Sequence, residues 1–195
     1  MPEKLPKAAE PFEGLLSPNT YDFRQDATAQ DVLNELVLQT DNHLRTVGVE
    51  QNEMYDTLII ASLIEREVRV PDERPVVASV IDNRLAEDTT LNIDAAVRYA
   101  NLRKNGEATV DTDVKSPWNT YRNAGLPPTP IAAPGRAALE AAADPPDTDF
   151  FYYVVCDVET GAHAFSETLD QHNRNVAQYR EIAGQETGSY CDEAA

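Results

Sequence analysis

Two glutamates stand two positions apart in an apolar stretch, and they are the residues of this sequence best suited to acid–base chemistry. They are Glu65 and Glu67 in MYDTLIIASLIEREV, which is predicted to form a helix from about Glu53 to Val68 with Asn52 as its N-cap. A helix that is apolar almost all round lies inside a domain. A carboxyl group among apolar neighbours is partly desolvated, and this favours the protonated form that a general acid needs.

The helical spacing separates the two carboxyl groups but does not choose between them. At about 100° per residue, Glu65 falls on the same face as several apolar side chains of the helix. Glu67 points the other way, where Arg69, Arg74 or Arg84 could pair with it. For either glutamate the alternative to catalysis is a salt bridge that anchors a core helix. The spacing therefore suggests a site without assigning it.

The remaining elements predict an α+β fold in which helices pack around a small antiparallel sheet. Apolar periodicity predicts the first helix from Ala29 to Thr46, with Asp26 or Thr28 as its cap. A long proline-rich loop over residues 106–134 is expected to be ordered and to lie beside the active-site groove. The other predicted elements are helices at 73–85, 94–102, 136–143 and 168–182 and paired strands at 150–156 and 162–166.

Length and charge limit the possible functions of the chain. Its 195 residues fit an extended N-terminal arm (1–25), one domain (26–183) and a flexible acidic tail (184–195). The net charge of −18 repels phosphate backbones, so no nucleic-acid partner is expected. No apolar run approaches the roughly 18 residues needed to cross a bilayer. The sequence also contains no set of ligands suited to a metal ion.

The two cysteines, Cys156 and Cys191, leave two interpretations open. In an oxidising compartment they could form a disulfide that ties the tail to the body and stabilises the fold by roughly 3–4 kcal/mol. Alternatively, Cys156 is an ordinary buried residue and Cys191 is a free thiol in a frayed tail.

Six motifs occur in an order that resembles a known family. The chain carries ASLIERE, ERPVVASVIDNRL, LNIDAAVRY, SPWNTY, GLPPTPIAAPG and GAHAFSETLDQHN, preceded by FEGLLSPNTY. These segments resemble the catalytic domain of the endolytic murein transglycosylases, the YceG-like family. The resemblance runs from about Phe12 to Tyr179, which is most of the chain.

The resemblance implies an activity and a mechanism. The first Glu of the family's ASIIEKE-type motif matches Glu65, which would be the catalytic acid and base. The implied reaction cleaves the β-1,4 bond between N-acetylmuramic acid and N-acetylglucosamine within peptidoglycan strands and leaves a 1,6-anhydro end. One carboxyl group suffices for it, whereas ordinary glycosidases use two. No cofactor and no metal are expected.

The resemblance also assigns further residues by position. Ser62 lies one helical turn before Glu65 and could hydrogen-bond it. Asn83 and Asn119 could equally cap backbone groups, and Tyr121 and Trp118 could equally be core residues. The expected substrate-binding residues are Ser62, Asn83, Asn92, Asp94, Asn119 and Tyr121, and the expected supporting residues are Glu67, Arg84 and His163.

The family resemblance places the expected activity in the cell envelope, outside the cytoplasm. The expected partners are peptidoglycan glycan strands and the cell-wall elongation machinery. Membrane contact is expected only through an N-terminal anchor that this chain does not include, and the family's LysM-like module is also missing from it. Two alternatives are a non-catalytic glycan-binding module and an enzyme that hydrolyses the same bond with water. Changes from the family pattern at Asn92 and Ala95 motivate the first alternative.

Overall fold

The elements of the fold follow the order predicted from the sequence. The computed structural model describes residues 12–185 and 187–191, and every structural statement refers to these residues. The helices are α1 (Ala29–Thr46), α2 (Met54–Glu67), α3 (Arg74–Ala86), α4 (Asp94–Asn105), α5 (Arg136–Ala143) and α6 (Leu169–Ile182); a 3-10 turn (Pro71–Glu73) precedes α3, and the strands are β1 (Tyr152–Val155) and β2 (His163–Ser166).

Local capping explains where the first and last helices begin. The Thr28 hydroxyl accepts a hydrogen bond from the Asp31 backbone N–H, and the Asp31 side chain bonds back to the Thr28 backbone. Thr168 and Gln171 repeat the arrangement at α6. Thr28 was one of the two predicted caps of α1, and the bounds of α1 and α5 agree with the prediction.

Helix α2 is the centre of the core. Eight consecutive residues, 57–64, are all buried, whereas a surface helix would expose one face to solvent. Helix α2 packs against α3, α4 and α5. The residue at its N-cap position is Glu53, not the predicted Asn52, and no side chain caps this end. Helix α2 ends where Val68 adopts an extended backbone conformation, three residues before Pro71.

The two strands form an antiparallel pair on one flank of the helical core. Their register runs from Tyr152 opposite Ser166 to Val155 opposite His163, and α6 packs against both strands. The α+β class is therefore confirmed, with α2 at the centre of the core and the sheet at its side.

Packing anchors the later part of the irregular segment 106–134 and the beginning of the described N-terminal arm, whereas residues 106–113 are exposed. The Trp118 indole N–H donates to the Thr129 hydroxyl at 2.9 Å, and both side chains are buried. Gly14 lies so close to the side chain of Pro130 that there is no room for a Cβ at this position. Leu15 is buried as well. The described arm therefore packs onto the body, whereas residues 1–11 lie outside the described residues.

A disulfide between Cys156 and Cys191 decides between the two interpretations of the cysteines. Beside it, the Tyr190 backbone N–H donates to the Cys156 carbonyl, and Ser189 forms a β-bridge with Asp157. The predicted flexible tail is thus anchored at 187–191, because a disulfide and backbone hydrogen bonds join it to the end of β1. Residues 186 and 192–195 lie outside the described residues, and the predicted domain boundaries stay a prediction.

None of the helices that the structure describes combines the length and the apolar character required to span a bilayer.

Candidate active site

A groove of about 600 Å³ is bounded by α2, α3 and the start of α4, by the two strands and by α6. It is called the central groove below. Its lining combines carboxyl groups, amides, phenols and imidazoles, the groups that bind and act on sugars. The lining residues are Glu67, Arg84, Leu91, Asn92, Asp94, Tyr121, Tyr152, Tyr153, Val154, Val155, His163, Leu169, His172, Val176, Tyr179 and Arg180.

Glu67, the last residue of α2, places its carboxyl group in this groove. Its Oε1 accepts a 2.8 Å hydrogen bond from the backbone N–H of Ala95, in the first turn of α4. Burial raises the pKa of Glu67, and the charge of Asp94 raises it further. The Ala95 hydrogen bond and the charges of His163 and Arg98 lower this pKa in part.

The Ala95 hydrogen bond also determines which oxygen of Glu67 carries the proton. When Glu67 is protonated, the oxygen that accepts the Ala95 N–H serves as the carbonyl oxygen, so Oε2 is the oxygen available for the proton. After the proton has left, the same bond and the positive N-terminal end of α4 stabilise the carboxylate. One fixed group can therefore give a proton and later accept one, as a general acid and base must.

Glu65 lies elsewhere on α2 and is not among the residues that line the central groove. Its Oε2 accepts a 3.2 Å hydrogen bond from the backbone N–H of Gly135, the N-cap of α5. Two positions turn a helix by about 200°, so the two glutamates face different neighbours. The position of Glu65 favours a role in joining α2 to α5, and its predicted role as the acid stays a prediction.

Three of the predicted substrate-binding residues meet at the groove beside Glu67. Asn92 adopts a positive φ of 52°, and its backbone N–H donates to the Thr120 carbonyl. The Tyr121 hydroxyl donates to Oδ1 of Asp94 at 2.8 Å. Burial and the Asp94 hydrogen bond raise the pKa of Tyr121, which keeps its phenol protonated. Asn92, Asp94 and Tyr121 thus present an amide, a carboxylate and a phenol at one end of the groove.

Two predicted supporting residues, Arg84 and His163, also line the groove. The carboxylate of Glu73 accepts from the His163 backbone N–H at 2.8 Å, and its other oxygen lies 2.7 Å from His163 Nδ1. Because a carboxylate only accepts, this pairing places the proton of the ring on Nδ1. The pairing holds the imidazole in one orientation next to the ring of Tyr153.

Three residues that were predicted to bind substrate have partners within the protein and do not line the central groove, and their predicted role stays a prediction; they are Ser62, Asn83 and Asn119. Ser62 is fully buried, donates to the Ile59 carbonyl and accepts from the Ile131 N–H, so its predicted bond to Glu65 is not formed. The Asn83 amide donates to the Thr148 and Phe150 carbonyls. The Asn119 amide donates to the Thr112 and Val114 carbonyls. For both asparagines the alternative of backbone capping is the one observed.

Sequence reasoning missed the wall of the groove formed by β1 and α6. Tyr152 and Tyr153 fell within the predicted strand 150–156 and His172 within the motif GAHAFSETLDQHN, and none of the three was predicted to bind substrate. Burial, followed by the charge of Glu67, raises the pKa of Tyr153 well above its usual range. Adjacent phenols in a strand next to a possible sugar site are the signal that could have identified this wall.

A second depression, of about 500 Å³, lies between residues 19–24 and α1. Its acidic residue Asp31 accepts hydrogen bonds from Thr28, and these lower the pKa of Asp31. A carboxylate stabilised in this way is a poor general acid. Among the residues the structure describes, no group of three or more His, Cys, Asp or Glu side chains is arranged to hold a metal ion.

The helical core, the flanking hairpin and the groove that contains Glu67 define an α+β domain with one candidate active site. Comparison with known proteins names its family. Residues 2–178 match the model of the YceG-like family. The chain therefore belongs to the YceG-like family, as the resemblance of its motifs predicted.

Relatives and a solved structure agree with this assignment. The endolytic murein transglycosylase of Bacillus subtilis strain 168 is 35% identical over an alignment of 175 residues, with 87% of this chain and 48% of that protein covered. The endolytic murein transglycosylase of Streptococcus pneumoniae strain D39 is 31% identical over 92% of this chain and 34% of its own length. The crystal structure of a YceG-like protein from Listeria monocytogenes matches with a TM-score of 0.72 and 37% identity, over 84% of this chain and 55% of that one. The chain spans about half or less of the curated relatives that it matches.

Proposed function

We propose that this domain is a lytic transglycosylase that cleaves the β-1,4 bond between N-acetylmuramic acid and N-acetylglucosamine in peptidoglycan strands. Family membership and the names of the relatives support peptidoglycan as the substrate. The observation that carries the proposal is the carboxyl group of Glu67, which lies in the central groove with a raised pKa and one oxygen held by Ala95. This position makes Glu67 a better candidate than Glu65 for the acid.

In the proposed mechanism Glu67 supplies both proton transfers. The proton on Oε2 passes to the glycosidic oxygen as the bond from that oxygen to C1 of the muramyl sugar breaks. The developing positive charge on the sugar is stabilised by the negative charge of Asp94 in the same groove. The C6 hydroxyl of the same sugar then attacks C1, and the Glu67 carboxylate takes the hydroxyl proton. The products are a free 4-hydroxyl and a 1,6-anhydro end, and no water is consumed.

Hydrolysis of the same bond is the second candidate, because Asp94 gives the groove a second carboxyl group next to Glu67. In that reaction Asp94 would activate a water molecule, as the base of a two-carboxylate glycosidase does. The product would be a reducing end instead of an anhydro end. Its mass would be greater by one water.

Purified peptidoglycan digested with the wild type, Glu67→Gln and the matched variant Glu65→Gln tests the assignment. Muropeptide mass analysis is expected to find anhydro ends with the wild type and with Glu65→Gln. Glu67→Gln should reduce their rate of formation roughly 10²–10⁴-fold, the usual contribution of a general acid.

Each other outcome has a definite meaning. Loss of activity only in Glu65→Gln would transfer the role to Glu65. If the products carry only reducing ends, the reaction is hydrolysis and not the lytic reaction. Binding of strands without any released fragment would favour the non-catalytic glycan-binding module.

The proposed activity also leads to expectations about the location and the partners of the protein. Action on peptidoglycan places the domain in the cell envelope, outside the cytoplasm. Contact with the cell-wall elongation machinery and anchoring in the membrane stay predictions that follow from the family resemblance alone.

A further inference from the structure

Arg84 is a buried cation that has no carboxylate partner among the residues that the structure describes. Its side chain is 8% exposed, and it lines the central groove. Nε donates to the Phe151 carbonyl at 2.7 Å, and Nη1 donates to the carbonyls of Thr90 and Leu91. The third nitrogen, Nη2, makes no hydrogen bond with any described residue. Since Arg84 lines the groove, the donor capacity of Nη2 is available to a ligand bound there.

A second unpartnered polar group lies on the same wall of the groove. Nδ1 of His172 is buried, and no described residue accepts from or donates to it. The His172 ring stacks on Tyr152 with 5.1 Å between ring centroids, and the Arg84 guanidinium carbon lies 5.2 Å from the centroid of the same tyrosine. Burial, followed by the charge of Arg84, lowers the pKa of His172 and favours its neutral form. Arg84, Tyr152 and His172 are together called the Arg84 pocket.

The charge of the Arg84 pocket indicates which part of a substrate it accepts. Cleavage of a glycosidic bond develops positive charge on the sugar ring, so a guanidinium is unfavourable beside the reacting carbon. It is favourable beside a carboxylate or a carbonyl oxygen. The two sugars of a peptidoglycan strand differ only in the 3-O-lactyl group of the muramyl residue. That group ends in a carboxylate, or in an amide carbonyl where a stem peptide is attached.

Building on the proposed function, we infer that the Arg84 pocket binds the carboxyl end of the lactyl group of an N-acetylmuramyl residue. Nη2 of Arg84 donates to the lactyl oxygen, and His172 offers a second polar contact beside it. Because only every second sugar carries this group, the contact sets the register of the strand in the groove. It thereby selects the linkage that reaches Glu67. An acetamido group would fit the same donors but occurs on every sugar and sets no register.

Binding of small disaccharides to the wild-type protein tests this inference. N-acetylglucosaminyl-N-acetylmuramic acid lacks the linkage to be cleaved, and its lactyl methylamide mimics a peptide-bearing strand. N,N′-diacetylchitobiose is the matched ligand without a lactyl group. The chain has three histidines, whose ring-proton NMR signals report separate places. His172 lies at the Arg84 pocket, His163 lines the groove with Glu67, and His43 lies on α1.

Both muramyl disaccharides are expected to shift the His172 signals and to bind about tenfold more tightly than chitobiose, as one hydrogen bond to a charged donor implies. His43 should not shift. If His163 responds equally to all three ligands and His172 to none, the inference fails while glycan binding in the groove stands. A His172 shift of equal size with chitobiose assigns the pocket to acetamido groups and also overturns the inference. If neither His163 nor His172 responds to any ligand, the proposed function fails with it.

Two variants complete the test. His172→Phe keeps the stacking on Tyr152 and removes the polar atoms, so it should reduce the preference for muramyl ligands. Arg84→Lys should abolish the preference for muramyl ligands. Because Arg84 also donates to three backbone carbonyls, thermal unfolding must first show that this variant is folded. An unchanged preference in both variants would overturn the inference. If the protein prefers muramyl ligands but releases no anhydro ends from peptidoglycan, the inference about the Arg84 pocket stands and the proposed lytic activity is refuted.

Discussion

The backbone N–H of Ala95 donates a 2.8 Å hydrogen bond to Oε1 of Glu67, across 28 residues of sequence. This contact joins the end of α2 to the beginning of α4 and orients the carboxyl group in the central groove. It leaves Oε2 to carry the proton, and it places the ionised form at the positive end of a helix. The proposed cycle of proton donation and recovery depends on this arrangement.

Removal of the Asp94 charge should change the pH dependence of activity. The reaction needs protonated Glu67, so kcat/KM should fall as pH rises through the raised pKa of this residue. Asp94 raises that pKa, whereas His163, Arg98 and the Ala95 N–H lower it. Asp94→Asn therefore should lower the pKa of Glu67 and move the basic limb of the profile to lower pH.

Asp56→Asn is the matched control for this experiment, because Asp56 is exposed and lies on the same helix about 16 Å from Glu67. Its profile should coincide with that of the wild type. An unmoved basic limb in Asp94→Asn would show that Asp94 does not influence the acid.

Glu67→Gln should stabilise the protein at neutral and higher pH. A carboxyl group whose pKa is raised on folding contributes stability below its unfolded pKa and loses that contribution as pH rises through the folded pKa. Glutamine keeps an oxygen for Ala95 and does not ionise. The Tm of Glu67→Gln should therefore exceed that of the wild type at pH 8, and the difference should shrink towards pH 4. A constant difference across this range would contradict the burial of an ionisable group.

Opening the Cys156–Cys191 disulfide should destabilise the fold and release residues 187–191. The bridge spans 35 residues, and the chain-entropy model assigns such a loop about 3–4 kcal/mol. For a chain of this size the double variant to alanine should lower Tm by roughly 6–16 °C. Hydrogen exchange at the Tyr190 amide, which donates to Cys156, should become faster. Unchanged exchange at Tyr190 would mean that the hydrogen bonds alone hold this segment.

Asn83 and Asn92 should respond in opposite ways to removal of their side chains. Asn83→Ala leaves two backbone carbonyls without their donor, so the free energy of unfolding should fall by about 1–3 kcal/mol. Glycine at position 92 can adopt the positive φ found there, so Asn92→Gly should change the free energy of unfolding little. The variant removes an amide from the groove, so KM should rise. The opposite pattern in thermal unfolding and kinetics would reverse the roles of the two residues.

Most elements of the fold could be predicted because their signals are local. The caps of α1 and α6 depend on residues three positions apart, and the apolar periods of these helices lie within single segments. The predicted N-cap of α2 was wrong by one residue, because no side chain caps this helix and the sequence therefore carries no capping signal there. The end of α4 was predicted three residues too early. Gly106 follows the last helical residue in a left-handed conformation, and the prediction did not use this glycine as the signal that ends the helix.

The sequence by itself determined the family, the α+β class, and the presence of two candidate carboxyl groups on one apolar helix. It could not determine which of them lies in the central groove. Because α2 is buried on nearly all sides, its own periodicity contains no information about where a cavity lies. Only the tertiary structure brings Ala95 to Glu67 and Gly135 to Glu65, from positions 28 and 70 residues away. Asn83 likewise depends on distant residues, since its amide donates to carbonyls 65 and 67 residues away. The partners of Asn119 are only 7 and 5 residues away, but they lie in an irregular segment whose path the sequence does not predict.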